Sequence, residues 1–288
     1  MKFAIVGGDV RCARLSGLLS GDGHKVLSFA LEKLSLPAGV VKASCLQSCV
    51  YGADCVVLPC PAESGGLLNA PYSDNVLRMQ EIISALWPYQ LLCGGNFSEE
   101  SAALIQRAGL KAGDMLRRSD FVVGNADITA EAAVAVLLGE SERCARGARV
   151  LICGWGRIGK LLAAKLSALG ANVTVTARKG AELAMAQALG YGALSYARLE
   201  QEAGSFDWVV NTVPARVISD AALCLMADDT LIVELASAPG GFDAKLAENI
   251  GLKVCLAPGL PGKCAPLSAA MLMKETIYNI IAEQEEQG

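Results

Sequence analysis

The sequence predicts an α/β protein made of two Rossmann-like domains with parallel sheets. Apolar runs of strand length alternate with helical patterns, and this alternation occurs twice, before and after Arg149, which favours parallel β-α-β units. The chain has 288 residues, of which 53% are hydrophobic and 19% charged, enough for two buried cores. We expect the two domains to be joined by two connecting helices around a cleft.

The first domain is expected to span residues 1–140. Its opening turn, residues 7–12, lacks the third glycine of a dinucleotide motif, and Asp9 would sit where a phosphate must come. We therefore interpret it as the substrate domain. The predicted strands are 2–6, 25–29, 54–58 and 91–93, and the predicted helices are 11–20, 76–87, 98–108 with Ser98 as N-cap, and 127–138 with a cap near Asp127 or Thr129.

The second domain is expected to span residues 141–264, after a polar turn at residues 139–143. Its predicted strands cover residues 149–153, 173–176, 207–211, 230–235 and 253–256. A last helix, from Pro266 to about Glu283, falls in the segment 265–288. We expect this helix to cross back and pack on the first domain.

A glycine motif of the form G-x-G-x-x-G follows the first strand of the second domain and opens a helix. This context is typical of dinucleotide binding. The glycines permit a tight turn, a close approach of the backbone to a pyrophosphate and close helix packing, while the helix N-terminus offers N–H groups to the phosphates. The motif predicts cofactor contacts at Gly154, Trp155, Gly156, Arg157, Ile158 and Gly159.

The end of the next strand indicates which dinucleotide is bound. NAD sites usually carry a carboxylate there for the ribose 2′-hydroxyl, but this strand ends in Arg178 and Lys179. A guanidinium can grip a 2′-phosphate with two hydrogen bonds, and we expect no carboxylate nearby to repel that phosphate. The pattern favours NADP over NAD, the alternative being a solvated basic pair.

Loops beyond the carboxyl ends of parallel strands bind ligands in open sheets. In the second domain, this rule adds four residues to the expected cofactor contacts, namely Asn211, Thr212, Pro214 and Ser237.

The same rule selects donors for a small anionic substrate. We expect Arg11 and Asn96 of the first domain and Lys263 of the second to bind it, because cationic side chains pair with carboxylates and the amide of asparagine donates hydrogen bonds to them. The alternative is that Arg11 pairs with Asp9 and Lys263 is solvated. The sequence identifies no catalytic residue and no metal ligands.

Composition argues against several classes of function. The net charge of −4 does not suggest the basic surface that nucleic-acid binding requires. No apolar run approaches the length of a membrane span. The N-terminus resembles a strand more than a signal peptide. Eleven cysteines without a C-x-x-C pair suit reduced thiols in a cytoplasmic protein. The one histidine, His24, lies in a helix-to-strand turn away from the predicted site, so proton transfer must use another side chain or water.

Five segments together resemble the family of dipicolinate synthase A subunits over nearly the whole chain. They are residues 7–11 (G-G-D-x-R), 154–159 (G-x-G-R-x-G), 211–214 (N-T-x-P), 235–241 (L-A-S-x-P-G-G) and 257–266 (A-P-G-L-P-G-x-x-A-P). Trp155 departs from the family, which often has a smaller apolar residue there, and residues 45–60 match only loosely.

The resemblance implies an NADP-dependent dehydrogenase subunit that oxidises a dihydro- or hydroxytetrahydrodipicolinate to dipicolinate for sporulation. It also implies that the partner is the flavoprotein-like B subunit of dipicolinate synthase, that the substrate is a small dicarboxylate and that the location is the mother-cell cytoplasm of a sporulating bacterium. The oligomeric state, including a homo-oligomer, stays open. Two other functions also stay open: an amino-acid or methylene-tetrahydrofolate-type NAD(P) dehydrogenase, and a nucleotide-binding partner subunit without catalysis.

Overall fold

The computed structural model describes residues 1–286, which fall into two compact units. The first unit contains residues 1–125 together with the C-terminal stretch from Ala265, and the second contains residues 126–264. The chain leaves the first unit inside one long helix, Ser119–Glu140, and returns after Cys264. The boundary predicted at residues 140 and 141 lies at the C-terminal end of that helix.

The first unit is built on a six-stranded sheet. In chain order, the strands of the unit are β1 (Lys2–Val6), β2 (Lys25–Phe29), β3 (Val40–Lys42), β4 (Cys55–Val57), β5 (Glu63–Ser64), β6 (Leu67–Leu68), β7 (Leu91–Gly94) and β8 (Lys111–Asp114). All of them belong to this sheet except β5 and β6, which form a separate antiparallel hairpin. Its helices are α1 (Val10–Gly21), α2 (Leu46–Val50), α3 (Met79–Ser84) and α4 (Glu99–Arg107), followed by α5 (Ser119–Glu140), which continues into the second unit.

The second unit repeats this plan. Its strands are β9 (Arg149–Cys153), β10 (Asn172–Ala177), β11 (Gly192–Ser195), β12 (Trp208–Asn211), β13 (Leu231–Glu234) and β14 (Lys253–Leu256). Its helices are α6 (Arg157–Ala168), α7 (Gly180–Ala188), α8 (Tyr196–Glu202), α9 (Asp220–Cys224), α10 (Ala244–Asn249) and α11 (Leu260–Cys264), after which α12 (Pro266–Glu286) returns to the first unit.

Both six-stranded sheets are parallel and share one topology. Their strand orders are β3-β2-β1-β4-β7-β8 and β11-β10-β9-β12-β13-β14. Within each unit this is the order 3-2-1-4-5-6 of doubly wound Rossmann folds, whose ligand crevice opens where the order reverses. That point lies between β1 and β4 in one sheet and between β9 and β12 in the other. The predicted fold class, α/β with two Rossmann-like parallel sheets, is confirmed.

Each sheet is buried on both faces, which explains why its central strands read as continuous apolar runs. In β9, Val150 and Ile152 belong to one core cluster, whereas Leu151 and Cys153 belong to another. Side chains of a strand alternate between faces, so helices on both sides of the sheet supply the two cores. The residues of β1 divide between two clusters in the same way.

Helix α12 packs against α1 within the first unit. Leu15 of α1 and Ile277 of α12 are fully buried in one core cluster. At the end of α1, Asp22 accepts hydrogen bonds of 2.7 Å from Lys274 Nζ and from Tyr278 Oη. Apolar packing and a charged cluster therefore both tie the C-terminal helix to this unit.

His24 lies beside this cluster, just before β2 and thus at the amino edge of the first sheet. Its Nε2 is 3.0 Å from Tyr278 Oη, and burial lowers the pKa of His24 below its usual value. Ligand crevices of such sheets open at the carboxyl edge, so His24 stands at the edge opposite the predicted sites.

Helix α5 differs from the prediction in its start. The expected helix begins near Asp127 or Thr129, but α5 begins at Ser119, and Asp127 forms a 2.9 Å ion pair with Lys165. Gly124 resembles a helix breaker in the sequence. In the structure a Cβ at Gly124 would lie 2.8 Å from Leu272 Cδ1, so a glycine there allows α12 to pack closely.

The length of α5 also corrects the expectation that no apolar run approaches a membrane span. By length and composition alone this helix could cross a membrane, with a mean hydropathy of 1.6 over 18 residues. However, 44% of that window is buried inside the protein. Core helices of globular proteins meet the same criterion, so the observation is weak evidence for membrane insertion.

The sequence does not predict several short elements, among them α2, β3, β8 and the segment from α7 to α8. Strand β11 reads Gly-Ala-Leu-Ser, with no β-branched residue, and its parallel pairing with β10 is what makes it a strand. The predicted helix at residues 76–87 is shorter in the structure, Met79–Ser84. Tertiary contacts outweigh local propensity in these segments.

We expect Asp207→Asn to lower the free energy of unfolding by roughly 1.5–3 kcal/mol near pH 7. Asp207 is 6% exposed and accepts bonds from the N–H (2.8 Å) and Nη2 (2.9 Å) of Arg149, which hold the pKa of its carboxyl below the usual value. A lowered folded-state pKa stabilises the protein above the unfolded-state pKa, and that stabilisation is lost as pH falls through the folded-state value.

Urea unfolding from pH 7 downward measures this effect. The difference between parent and variant should shrink below about pH 4. Asp229→Asn, which removes an exposed partner of Arg143, is the matched control and should change stability by less than about 0.5 kcal/mol. A pH-independent difference for Asp207→Asn would contradict the assignment.

Candidate functional site

The turn from β9 into α6 requires glycine at two positions. Gly154 has a φ of +108°, and a Cβ there would lie 2.5 Å from Thr212 Oγ1 and 2.8 Å from Val213 Cγ2. A Cβ on Gly159 would overlap the carbonyl oxygen of Gly154. Both glycines therefore bring the first turn of α6 close to the ends of β9 and β12.

Gly156 is different, because it borders open space. It is the N-cap of α6 and has no side chain to accept hydrogen bonds from the first turn, which begins with Arg157 and Ile158. Apart from its chain neighbours, an added Cβ would meet no heavy atom of residues 1–286 within 4 Å. A helix N-terminus with free N–H groups and room before it suits a phosphate.

A cavity of about 260 Å³ opens at this turn, at the carboxyl ends of β9, β10 and β12. Six of the predicted cofactor contacts line it: Gly154, Trp155, Gly156, Arg178, Thr212 and Pro214. Four further lining residues are not among the predicted contacts: Ala177, Glu182, Tyr196 and Val213. The structure thus brings together the glycine turn and the end of the second strand, as a dinucleotide site requires.

Trp155 is largely buried in the wall of this cavity. Its ring meets Tyr191 edge-on at 5.7 Å, and Lys160 Nζ lies 5.8 Å from the ring centroid. The buried indole N–H finds no hydrogen-bond partner among the described residues. Buried donors are nearly always paired, so a ligand oxygen at this point would satisfy the group.

The charges around Arg178 correct one expectation. Arg178 lines the cavity, but Glu182 in the first turn of α7 lines it too, so a carboxylate is present after all. Tyr196 lies beside them, and burial raises the pKa of its phenol. Lys179 is the exposed N-cap residue of α7 and is not part of the cavity lining.

Asn211 has a different position from the one that its predicted role suggests. It is fully buried at the end of β12. Its Nδ2 donates to Val213 O (2.9 Å) and to Glu234 Oε1 (2.7 Å), and its Oδ1 accepts from the N–H of Val213. The amide is thus used inside the protein, where it shapes the loop that lines the cavity.

A second, mainly apolar cavity of about 230 Å³ lies at the carboxyl ends of β13 and β14. Ala236, Ala238 and Pro239 border it, whereas the predicted contact Ser237 between them is exposed and outside the lining. Glu234 also borders this cavity. The sequence prediction includes Glu234 only as part of a strand. A carboxylate within the apolar run Leu-Ile-Val-Glu-Leu is, however, a signal of a buried charge, and it could have marked Glu234 as a candidate site residue.

Arg11 of the first unit lies where the strand order of its sheet reverses. Its guanidinium forms a bidentate pair with Asp9, from Nε to Oδ1 and from Nη2 to Oδ2, and Nη2 also donates to the carbonyl of Cys60 (2.8 Å), which follows β4. Burial alone would lower the pKa of Arg11, but its bonds to Asp9 outweigh burial and raise it. Asp9 also accepts from the Arg11 N–H as the N-cap of α1, so a carboxylate fills the place of a phosphate.

The thiols beside Arg11 are neutral at physiological pH. Burial raises the pKa of both Cys12 and Cys60 to about 12. The thiolate is the nucleophilic form of cysteine, so neither residue is poised as a base or a nucleophile.

The other predicted substrate contacts are exposed. Asn96 follows β7 of the first sheet. It has a φ of +57°, and its backbone N–H donates to Asp114 Oδ1 at 2.8 Å. Lys263 belongs to the short helix α11 of the second unit. Within residues 1–286, no group of three or more His, Cys, Asp or Glu side chains could hold a metal ion.

Two family models match the chain, one in each half. The N-terminal domain of the dipicolinate synthase A subunit matches residues 2–116, and the NAD-binding domain of D-isomer-specific 2-hydroxyacid dehydrogenases matches residues 138–248. The second match covers the glycine turn and the cavity. The second unit therefore resembles the NAD-binding domain of these dehydrogenases, which supports a nicotinamide dinucleotide cofactor and an oxidoreductase.

Similar proteins extend the match to the full length. The dipicolinate synthase A subunit of Bacillus subtilis (strain 168) is 29% identical over 292 residues, covering 100% of this chain and 98% of that protein. A crystal structure of the dipicolinate synthase A subunit from Bacillus halodurans has a TM-score of 0.83 and 28% identity, covering 98% of this chain and 97% of that one. The Bacillus subtilis crystal structure gives 0.82 and 28%, covering 100% and 98%. The resemblance of this chain to the family of dipicolinate synthase A subunits is thereby confirmed along its whole length.

Proposed function

We propose that the chain is the NADP-dependent dehydrogenase subunit of a dipicolinate synthase. In this role it oxidises dihydro- or hydroxytetrahydrodipicolinate to dipicolinate for sporulation. The observation that carries the proposal is the cavity in which an open helix N-terminus and Arg178 meet. The substrate class rests on the full-length similarity to the Bacillus subtilis dipicolinate synthase protein.

The residues of the cavity fit a dinucleotide. The N–H groups of Arg157 and Ile158 would hold the pyrophosphate in the room that Gly156 leaves. Arg178 would bind the 2′-phosphate with two hydrogen bonds, and Thr212 and Pro214 would border the nucleotide. The bound NADP⁺ would supply the acceptor for one hydride.

The chemistry of the substrate suits the residues of the chain. Dihydrodipicolinate becomes dipicolinate when it loses one hydride and one proton, and the hydroxytetrahydro precursor first loses water. The ring gains aromaticity, so the step depends on positioning more than on a strong base. We propose Arg11, Asn96 and Lys263 as donors for the two carboxylates, since a buried unpaired anion is costly.

A second candidate is a nucleotide-binding subunit that performs no chemistry. The ionisable side chains that line the cavity are Arg178, Glu182 and Tyr196, and burial raises the pKa of Tyr196. A phenol with a raised pKa is a poor general base near neutral pH, and among the described residues no histidine lines the cavity, which favours this candidate.

The partner and the cellular location follow from the same resemblance. The Bacillus subtilis relative is one subunit of a synthase, which supports an assembly with a second kind of chain. We propose that the flavoprotein-like B subunit of dipicolinate synthase is this partner. We also propose the mother-cell cytoplasm as the location and leave a homo-oligomer as one alternative for the assembly.

A turnover assay separates the two candidates. The chain is supplied with hydroxytetrahydrodipicolinate and NADP⁺, with and without the proposed partner, and NADPH formation is followed. Formation by the chain alone supports the dehydrogenase subunit. Substrate and cofactor binding without NADPH formation under either condition would favour the subunit without chemistry.

We expect the parent chain to bind NADP(H) more tightly than NAD(H), and Arg178→Ala to weaken NADP binding about ten- to a hundredfold. A charged bidentate hydrogen bond contributes roughly 1.5–3 kcal/mol. NAD has no 2′-phosphate to accept this bond, so the variant should bind NAD as the parent does. Glu182→Gln should increase the preference for NADP because it removes a negative charge from the same cavity. Calorimetric titration with NADP and with NAD measures these affinities for the parent and for each variant, with the exposed Arg198→Ala as control. Equal affinities of the parent for both cofactors would contradict the proposed preference.

Gly156→Val should abolish dinucleotide binding and leave the fold intact. The new side chain enters open space, so it costs little packing, but that space is the one the pyrophosphate needs. Gly139→Val, at another open position, is the matched control and should bind normally. Circular dichroism checks the fold and calorimetry the binding. A folded Gly156→Val chain that still binds NADP would show that the site lies elsewhere.

Arg11→Ala and Lys263→Ala should each lower kcat/KM for the dicarboxylate about ten- to a hundredfold, because each would lose a charged hydrogen bond to substrate. NADP affinity should stay unchanged. The exposed Arg14→Ala on α1 is the control for a lost surface charge. Parent-like kinetics in both variants would rule out Arg11 and Lys263 as donors and direct the search to Asn96, Ser64 and Arg216.

A further inference from the structure

Glu234 is a carboxylate buried at the end of β13, with only 6% of the residue exposed. Burying a charge is costly unless it is hydrogen-bonded. Its Oε1 accepts from Asn211 Nδ2 (2.7 Å) and from the N–H of Ala236 (2.8 Å), and its Oε2 accepts from the N–H of Gly241 (2.7 Å). Three donors, one at the end of β12 and two in the loop after β13, therefore converge on one carboxylate.

The loop after β13, residues 236–241, is built closely around this carboxylate. Gly240 has a φ of +82°, and a Cβ there would lie 3.1 Å from Glu234 Oε2. A Cβ on Gly241 would overlap the side chain of Asn211. Glycines at these two positions let the backbone approach both members of the Glu234–Asn211 pair.

The other arm of the network leads to the dinucleotide cavity. Asn211 Nδ2, which Glu234 orients, also donates to Val213 O (2.9 Å), and Asn211 Oδ1 accepts from the N–H of Val213 (3.2 Å). Val213 lines the cavity, and its Cγ2 lies 2.8 Å from where a Cβ of Gly154 would be. Glu234 is thus connected to the wall of the cavity through the side chain of Asn211.

We propose that Glu234 is a positioning residue for dinucleotide binding, which it supports by fixing Asn211 and thereby the loop at residues 212–214. This inference rests on the proposed function of the cavity as a dinucleotide site. The negative charge of Glu234 is required, because all three of its partners are donors. An amide at this position must direct its own N–H₂ group at one of them.

Calorimetric titration with NADP tests the proposal on Glu234→Gln in the full chain. We expect about tenfold weaker binding, the factor that ~1.4 kcal/mol produces. Asp207→Asn is the matched control, because it also changes a buried acid of the same unit to its amide. Asp207 lies at the amino edge of the sheet, away from the cavity at the carboxyl edge, so this variant should bind within about twofold of the parent, as expected for sites that are distant and independent.

A second variant tests the route through Asn211. Asn211→Ala leaves Glu234 two of its three donors, so it remains informative if Glu234→Gln fails to fold. We expect each single change to weaken binding, and the double change to weaken it by clearly less than the product of the two factors, because coupled residues are not additive.

The outcomes are distinct. A parent chain that binds no dinucleotide overturns the proposed function and this inference with it. A parent that binds, together with a folded Glu234→Gln chain that binds equally well, overturns the inference alone. Equal losses of NADP affinity in Glu234→Gln and Asp207→Asn would overturn the inference, because general destabilisation would then explain both. If the loss of affinity in the double variant equals the product of the two single losses, the route through Asn211 is refuted.

Discussion

The close approach of helix α6 to the ends of β9 and β12 is the constraint on which the nucleotide-binding unit depends. A side chain at Gly159 would overlap the carbonyl of Gly154, and one at Gly154 would strike Thr212 and Val213. This approach brings the positive end of the helix dipole to the crevice where the strand order reverses. The cavity lined by Gly156 and Arg178 is a consequence of it.

The two units show how one topology can carry opposite chemistry at the same place. Both sheets have the same strand order, and in both a helix begins just after the first strand. In the second unit Gly156 leaves that N-terminus open. In the first unit Asp9 caps it and pairs with Arg11, so an anion from the chain itself already fills the position. The identity of one or two turn residues therefore decides whether a Rossmann crevice can take a phosphate.

The sequence predicts the features that follow from periodicity and glycine spacing. The central strands, the fold class and six residues of the cavity lining are of this kind. It predicts poorly where long-range contacts decide: β11 depends on pairing with β10, and α5 continues through Gly124 because α12 packs there. Glu182 and Tyr196 are missed because they lie on unpredicted helices. The sequence also does not predict which motif residues are buried. Asn211 belongs to a visible motif and is predicted as a cofactor contact, but in the structure it is fully buried.

The first unit is discontinuous along the chain, whereas the second is one continuous stretch. During synthesis on the ribosome, residues 126–264 emerge complete and can fold as a unit, because domains generally fold as they appear. The first unit emerges earlier but must wait, since α1 packs against α12, and α12 follows residues 126–264 along the chain. Residues 126–264 can therefore fold before the first unit, whose core is completed only when α12 packs on α1.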